Sequence, residues 1–400
     1  MTTTTLPAAS AAQKTAFIVI FAVAFCHMIN DVMQYLLAAI YPMLKDFYGL
    51  DYVQIGLLTF TFQLTASLLQ PVIGIYTDKR PLPYSLPFGM ASSTLGLIVL
   101  GYSTSYAMLL IGSALIGLGS AIFHPESSRV ARLASGGRYG FAQATFQLGG
   151  NLGSALGPVL AAFVVLPFGQ HSVAWFAAAA LVGMSVLTWV GRWYAAHLRE
   201  VSKRGPASTG LPFDRRTTYV ALVVLVLLTF SKNAYNAGIS NYFTFYLIDK
   251  FGVDVQLSQI MLFLFLGASA IGVFIGGPIG DRFGPKLVIW LSILGVVPFT
   301  LLLPYADLFW SGVLVVIVGI VISSAFPAIV VFAQELMPGR IGMIAGIFFG
   351  FAFGAAGIAA AVLGAFADSY GIQSVFAVTS YLPLIGLLTV FLPEMKPRQD

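Results

Sequence analysis

Charged residues are scarce in this chain. Only 9% of its 400 residues are Asp, Glu, Lys or Arg, whereas a soluble domain carries about 25%. Hydrophobic residues make up 58% of the chain, and the mean hydropathy is +0.90. This composition excludes an ordinary soluble domain. Because the apolar runs are long and do not alternate with polar residues, they predict an all-α membrane protein.

Residues that would carry enzyme chemistry are also few. The single cysteine, Cys26, lies in the first apolar run and excludes a disulfide framework. No phosphate-cradling Gly-Lys-Ser and no Gly-x-Ser-x-Gly nucleophile motif occurs. The histidines are scattered along the chain without metal-ligand spacing; they are His27, His124, His171 and His197. We therefore expect no enzyme activity, no metal and no cofactor, and we expect an ion gradient, with the proton as coupling ion, to supply the energy.

The apolar runs predict twelve transmembrane helices, and both chain termini are expected in the cytoplasm. Basic residues concentrate in every second loop, which follows the positive-inside rule. We assign the net charge of +5 to this rule, so we expect a lipid bilayer as partner and no nucleic acid. The spans are predicted at 16–42, 52–77, 83–102, 105–133, 140–166, 172–196, 217–248, 257–279, 286–304, 308–333, 341–367 and 371–392.

The chain repeats itself at an offset of 202 or 203 residues, which is about half its length. This repeat predicts two pseudo-symmetric six-helix halves, 1–196 and 217–400, joined by a basic cytoplasmic linker, 197–216. The matching pairs are Asn30 with Asn233, Gly74 with Gly277, Asp78 with Asp281, Lys79 with Arg282, Pro125 with Pro327, and Arg138 with Arg340.

Ionisable residues cluster near the end of the fourth span, around His124, Glu126 and Arg129. A charged side chain at the centre of a bilayer helix costs roughly 2.5–3.5 kcal/mol. Such a cluster therefore indicates a watery cavity or a partner. Glu126 and Arg129 are three residues apart on a helix and can pair.

The first span carries a complete polar face. His27, Asn30, Asp31, Gln34 and Tyr41 fall within an arc of roughly 100° at 3.6 residues per turn. An interhelical seam of hydrogen bonds would explain this face, but the aspartate favours a cavity.

Other spans add polar groups that predict a binding site for a small anion or a strongly hydrogen-bonding solute. Lys232 lies well inside the seventh span, where it either faces the cavity or extends to an interface. Cations and amides outnumber carboxylates among these groups, so the predicted site does not suit a hydrophobic cation. The substrate-binding candidates are Asn30, Gln34, Gln63, Gln70, Arg129, Gln147, Asn151, Lys232, Asn233 and Asn236.

Proton coupling needs a carboxylate or histidine whose environment changes during transport. A carboxylate beside a cation stays ionised, and it binds a proton when that cation moves away and leaves it desolvated. The candidates are Asp31, Glu126, His27 and His124, and the residues alone do not rank them.

Six plus six spans, a basic linker and Gly-x-x-x-Asp-basic in two equivalent loops resemble the major facilitator superfamily. The second copy, Gly277-Pro-Ile-Gly-Asp281-Arg282, is close to the superfamily signature, and the first, Gly74-Ile-Tyr-Thr-Asp78-Lys79, is looser. The resemblance implies that the aspartate of each loop caps a helix and pairs with arginines of neighbouring spans, which latches the outward-open state. It also implies Arg138 and Arg340 as partners of the two aspartates.

A narrower resemblance covers nearly the whole chain. The runs His27-Met-Ile-Asn-Asp31, Phe123-His-Pro-Glu-Ser-Ser-Arg129 and Gln334-Glu-Leu-Met-Pro-Gly-Arg340 look like the fosmidomycin resistance group of bacterial efflux transporters. This resemblance implies proton-coupled export of a small phosphonate from a monomeric protein in the bacterial inner membrane. The chain departs from general drug/proton antiporters at Ser113, where many of them carry an arginine.

Three functions remain open at this point. The first is an exporter of a phosphonate or related organic anion in exchange for protons. The second is a proton-coupled uptake symporter of an organic anion or sugar-like solute. The third, a membrane receptor or enzyme without transport, leaves the paired loops unexplained.

Overall fold

The chain is entirely helical in the part that the structure, a computed structural model, describes, which is residues 15–203 and 211–395. Its apolar runs form helices because the backbone can satisfy its hydrogen bonds internally in a bilayer only in a helix or a closed barrel. The first eight helices are α1 Phe17–Ala39, α2 Tyr41–Tyr48, α3 Tyr52–Lys79, α4 Ser85–Gly101, α5 Tyr106–Ala134, α6 Tyr139–Leu160, α7 Leu166–Phe168 and α8 Ala177–Lys203.

The remaining helices are α9 Arg215–Phe251, α10 Val255–Phe283, α11 Pro285–Ile293, α12 Val297–Leu302, α13 Leu308–Ser323, α14 Ala325–Leu336, α15 Ile341–Tyr370 and α16 Ile372–Thr379. A π-helical turn, Ala161–Val165, follows α6. Three segments of 3₁₀-helix lie at Gln170–Phe176, Leu303–Tyr305 and Leu382–Phe391.

Within the described residues, eleven helical segments are long and apolar enough to cross a membrane. The remaining predicted span, 83–102, corresponds to the shorter apolar helix α4. Its 17 residues extend about 26 Å at 1.5 Å per residue, slightly less than the hydrocarbon core. The chain is thus a multi-pass membrane protein, and the count of twelve spans stays a prediction.

The predicted linker, 197–216, is partly helical. Helix α8 continues to Lys203, and α9 begins at Arg215, where the Asp214 carboxylate accepts a hydrogen bond from Thr217 N. His197 stacks on Trp193 one turn earlier, which favours continuation of α8. Residues 204–210, in the middle of the predicted linker, lie outside the described residues, as do both chain termini.

Small residues let α6 pack directly on α1. A Cβ atom on Gly149 would lie 2.0 Å from Ala24 O, and one on Gly153 would lie 2.3 Å from Met28 O. No side chain larger than hydrogen fits at these positions. This close contact fixes the polar face of α1 against α6.

Two helix crossings close one end of the bundle. We call it the basic end, because it carries the loops that contain Lys79, Arg138 and Arg340. There α3 crosses α15 with Gly74 against Gly342 O, and α6 crosses α10 with Gly140 against Gly277 O. Further along, Gly350 still meets the backbone of α3 at Ser67, but Gly354 and Gly357 face open space. The helices therefore touch at the basic end and separate toward the opposite end.

We expect Gly149→Ala to destabilise the protein, because its new methyl group must displace the backbone of α1. Overpacking of this kind costs about 1–3 kcal/mol. The matched variant Gly354→Ala adds the same methyl group into open space and should leave stability unchanged. Thermal unfolding of the purified protein in detergent measures both variants, and equal melting temperatures would contradict the packing described here.

Candidate functional site

Two histidines and an aspartate meet at mid-bundle in a group that we call the His–Asp cluster: His27 and Asp31 on α1 and His124 on α5. His27 Nε2 lies 3.3 Å from His124 Nε2 and 3.5 Å from Asp31 Oδ2, and His124 Nε2 lies 3.8 Å from Asp31 Oδ1. All three side chains are buried. The polar face of the first span is therefore turned toward a buried polar partner on α5.

Neighbouring amides and a hydroxyl hold the cluster in place. Asn30 Nδ2 and Gln34 Nε2 both donate to Asp31 Oδ1, at 3.2 and 3.1 Å. Ser120 Oγ donates to Gln34 Oε1 at 3.2 Å and also lies 3.2 Å from His124 Nδ1. Gln34 therefore connects the aspartate to the surroundings of His124.

Spacing along the chain did not reveal this cluster. His27 and Asp31 share the predicted polar face, but His124 lies 97 residues from His27, and the four histidines show no metal-ligand spacing along the chain. In the described residues, one group of three His, Cys, Asp or Glu side chains has all its ligand atoms within 4.8 Å of one another, and it consists of His27, Asp31 and His124. The distances between these ligand atoms leave room for a proton or for a small cation, so the expected lack of a metal stays a prediction.

Phenylalanine rings separate the cluster from the second half of the chain. Phe349 and Phe353 on α15 lie with their ring centroids 5.3 and 5.2 Å from that of His124. Phe326 on α14 packs edge-on against Phe349 at 5.3 Å. These three rings form what we call the aromatic layer.

Lys232 contacts the aromatic layer at Phe326. Its Nζ atom is 5.0 Å from the centroid of the Phe326 ring, and the residue is 8% exposed. No carboxylate within 4 Å and no hydrogen-bond acceptor contacts this ammonium among the described residues. This burial argues against the interpretation in which the side chain extends to an interface, and the role of Lys232 as a substrate ligand stays a prediction.

A small cavity of about 120 Å³ opens where α3 and α15 separate. Gln34 and Tyr41 line it from the first span, Gln63 from α3 and Phe353 from α15. Because Gln34 also donates to Asp31, this cavity contacts the hydrogen-bond network of the His–Asp cluster directly.

The predicted amides differ in their contacts. Asn233 Nδ2 donates to Thr229 O, and Gln70 Nε2 donates to Ala66 O, so both bond to their own helices. Gln70 is also covered by Gly346 in the contact between α3 and α15, outside the cavity. Asn151 is half-buried, with no side-chain contact that assigns it a role. Side-chain oxygens without a partner belong to Asn30, Gln63, Gln70, Gln147 and Asn236.

Arg129 does not face the cavity, which corrects its prediction as a substrate ligand. Its guanidinium donates to Thr77 O at 2.6 Å, to Thr77 Oγ1 at 2.9 Å and to Asp78 Oδ1 at 2.6 Å. Five N–H groups in a rigid fork suit this set of closely spaced acceptors. Arg129 therefore joins α5 to the basic end of α3.

Glu126 belongs to the same network. Its carboxylate lies 3.4 Å from Arg129 Nη1, as the spacing of three residues predicts, and it accepts a hydrogen bond from Ser85 Oγ at 3.3 Å. Glu126 is fully buried. As a proton-coupling candidate it is thus separate from the His–Asp cluster and linked to the closed end of the bundle.

The aspartate of each of the two equivalent loops caps a helix that lies far away along the chain. Asp78 accepts the N–H groups of Gly342 and Met343, at 2.9 and 2.8 Å. Asp281 accepts those of Gly140 and Phe141, at 2.6 and 2.8 Å. The first N–H groups of a helix lack partners within it and attract negative charge. We call these two arrangements the latches.

Arg138 and Arg340, the arginines that the resemblance implied, form no ion pair with Asp78 or Asp281 in the described part of the chain. The arginine beside Asp78 is Arg129 on α5. The side chains of Lys79 and Arg282 are exposed. The glycines at the crossings bring the helix starts within reach of the carboxylates, so backbone N–H groups are the shared partners of the two latches.

A third link across the basic end was not predicted. Gln334 on α14 donates to Ser128 Oγ at 3.1 Å and accepts from Arg132 Nη1 at 3.4 Å. Ser128 in turn donates to Gln143 Oε1 at 2.9 Å. The polar end of the tenth predicted span was visible in the sequence, but nothing in the sequence identified the residues across the interface.

Comparison with known proteins places the chain among transporters. The family model of the Major Facilitator Superfamily matches residues 23–349 and 225–400. The chain is 53% identical to the fosmidomycin resistance protein of Escherichia coli (strain K12), over 98% of this chain and 96% of that protein. It is 38% identical to the uncharacterized MFS-type transporter YfnC of Bacillus subtilis (strain 168), over 95% and 94% of the two chains.

A solved structure has the same fold. The human organic anion transporter MFSD10 superposes with a TM-score of 0.76 over 95% of this chain and the whole of that chain. The sequences are 18% identical. At this identity the likeness concerns the fold.

The two latches should differ in strength, because only Asp78 has a buried arginine beside it. We expect Asp78→Asn to open the basic end more than Asp281→Asn, since it also leaves Arg129 without its closest charge partner. Spin labels on the exposed positions Tyr84→Cys and Leu287→Cys report the distance between halves, while the native Cys26 is buried.

The matched control is Asp307→Asn, because Asp307 caps only its own helix, through Trp310 N. It should leave the distance distribution unchanged. Equal shifts for Asp78→Asn and Asp281→Asn, or no shift for either, would contradict the assigned latches.

Proposed function

The chain belongs to the Major Facilitator Superfamily, and we propose that it exports fosmidomycin or a related small phosphonate in exchange for protons, by alternating access. It is a membrane transporter and not an enzyme. The name of its Escherichia coli relative supplies the candidate substrate. The substrate and the antiport are the parts that we propose.

The unpaired ammonium of Lys232 is the observation that carries this proposal. A buried cation is costly unless a negative charge compensates it. Its neighbour is the ring of Phe326, which attracts a cation only weakly. A phosphonate anion bound beside Lys232 would supply both the charge and the hydrogen-bond acceptors that the ammonium lacks.

Free amide groups nearby suit the rest of such a molecule. The side-chain oxygens of Gln63 and Asn236 have no partner, and Gln63 lines the cavity between α1, α3 and α15. A hydroxamate carries one O–H donor and one carbonyl acceptor, which an amide matches with its own acceptor and donor. We therefore assign recognition of the uncharged end of the substrate to amides and that of the charged end to Lys232.

Alternating access requires that one end of the bundle closes while the other opens. The latches and the crossings at Gly74 and Gly140 support a state with a closed basic end. If the basic loops face the cytoplasm, as the positive-inside rule predicts, this state is outward-open. We propose two six-helix halves, both termini in the cytoplasm and a monomer in the bacterial inner membrane.

Proteoliposomes with an imposed pH step test the function directly. We expect fosmidomycin and protons to move in opposite directions without ATP, as followed by internal pH and accumulated drug. Movement in the same direction would replace the proposal by the uptake symporter. Transport of the drug without any proton movement would disprove proton coupling.

Lys232→Met should weaken binding of the phosphonate anion by roughly 10- to 150-fold, because a hydrogen bond to a charged group contributes about 1.5–3 kcal/mol. Binding of a neutral phosphonate diester should change much less. Isothermal titration calorimetry in detergent measures both ligands. The control is Lys286→Met, which removes a lysine paired with Glu394 at the surface. Equal losses for both ligands would assign Lys232 a structural role.

A further inference from the structure

We propose that His27, Asp31 and His124 act as one binding site for the coupling proton. The proton binds between the Nε2 atoms of the two histidines and the carboxylate of Asp31. This inference rests on the proposed proton exchange and deepens it. In place of separate candidate proton carriers, it assigns the proton to one site, in which each histidine has a defined tautomer.

Two backbone carbonyls determine the tautomers. His27 Nδ1 lies 2.7 Å from Phe146 O, and His124 Nδ1 lies 3.0 Å from Ser120 O. A carbonyl oxygen only accepts hydrogen bonds, so each Nδ1 must carry its hydrogen. In a neutral histidine the Nε2 atom is then bare. Both bare atoms point into the cluster.

Three acceptors consequently meet with no hydrogen between them when both histidines are neutral and the aspartate is ionised. The two Nε2 atoms are 3.3 Å apart, and His27 Nε2 is 3.5 Å from Asp31 Oδ2. Asp31 Oδ1 already accepts from Asn30 and Gln34, but Oδ2 has no donor of its own. One added proton on His27 Nε2 makes this atom a donor to its two neighbouring acceptors, His124 Nε2 and Asp31 Oδ2.

The charge of the cluster leads to the same conclusion. Without the proton the buried group carries one uncompensated negative charge, and with it the group is neutral overall. Burial favours the neutral form, because an unpaired charge is costly in a low dielectric. The other titratable side chain beside it is Tyr35 on α1, whereas α6 contributes Phe146 and Gly150, and α15 contributes Phe349 and Phe353.

Gln34 links proton binding to the transport cavity. Its amide lines the cavity, donates to Asp31 and accepts from Ser120, which contacts His124. A substrate that engages Gln34 therefore changes the hydrogen bonds of Asp31 and His124 together. This connection gives substrate and proton a shared set of contacts without direct competition for one atom.

Proton exchange on substrate binding tests the site in weakly buffered detergent solution with a pH-sensitive dye. In the wild-type protein, fosmidomycin binding should change the number of bound protons. His124→Gln and Asp31→Asn should each reduce that exchange at least tenfold, while calorimetry still detects fosmidomycin binding. The matched control His171→Gln removes a histidine outside the cluster, bonded to Gly101 O, and should retain full exchange.

The variants separate the failure of this inference from the failure of the proposed function. Unchanged exchange in His124→Gln, or its loss only in Glu126→Gln, would overturn the shared site and leave proton coupling intact. Drug binding to the wild-type protein without any proton exchange would overturn the proposed coupling, and this inference with it.

Gly150→Ala tests the geometry without removing a titratable group. Its Cβ would lie 2.7 Å from His27 Nε2 and 3.0 Å from Asp31 Oδ2, so it should displace these atoms and reduce the exchange. Gly354→Ala provides the control for an added methyl group. Full exchange in folded Gly150→Ala protein would contradict a site that depends on these distances.

Nitrogen-15 spectra of histidine-labelled protein report the tautomers in the wild-type protein, so misfolding of a variant does not affect this measurement. His27 and His124 should both show protonated Nδ1 at all pH values, and a proton should leave Nε2 as the pH rises. A tautomer with bare Nδ1 in either residue would overturn the proposal. His27→Gln and His124→Gln spectra assign the signals.

Discussion

Burial of charge in a bundle surrounded by lipid is the constraint on which this structure depends. Arg129 satisfies it by pairing with Asp78 and Glu126, and Asp31 satisfies it through amides and two histidines. Lys232 is the exception, because its ammonium has only an aromatic ring beside it. Arg129 thus has its charge partners within the protein, whereas we propose that Asp31 and Lys232 are neutralised by ligands, Asp31 by the coupling proton and Lys232 by an anion. This difference separates a structural charge from two that are available to ligands.

The repeat in the sequence explains why the two latches at the basic end are alike, whereas the centre of the bundle is asymmetric. The two latches are the same arrangement at an offset of 202 or 203 residues, with Asp78 on one helix start and Asp281 on the other. At the same offset, the equivalents of His27, Asp31 and His124 are apolar: Phe230, Ala234 and Phe326. Arg129 likewise corresponds to Val331. Both copies of the repeat thus contribute a latch, and the first latch has an arginine that the second lacks. The first copy holds the proposed proton site, and the second holds Lys232.

Glycine determines where the bundle can close. A carboxylate can reach the first N–H groups of a helix in the opposite half only if the two backbones nearly touch, and Gly74, Gly140, Gly277 and Gly342 allow that approach. Further from the basic end the helices separate, and Gly354 and Gly357 on α15 face open space. The transition between contact and separation lies beside Gln63 and Phe353, where the cavity begins. The site is therefore adjacent to the region that must move when access alternates.

The sequence by itself determined the class of the protein, the approximate positions of its spans and the pairing of Glu126 with Arg129, because hydropathy and helical spacing are local properties. Composition also identified Asp31, His124 and Lys232 as costly residues that need a role. Only the tertiary structure decided which of them meet. It placed Arg129 beside Asp78 and not in the cavity, left Arg138 and Arg340 without an ion pair to the two aspartates in the described residues, and brought His27 to His124 from 97 residues away. Such contacts depend on how closely two helix backbones approach, and that distance results from packing across the whole bundle.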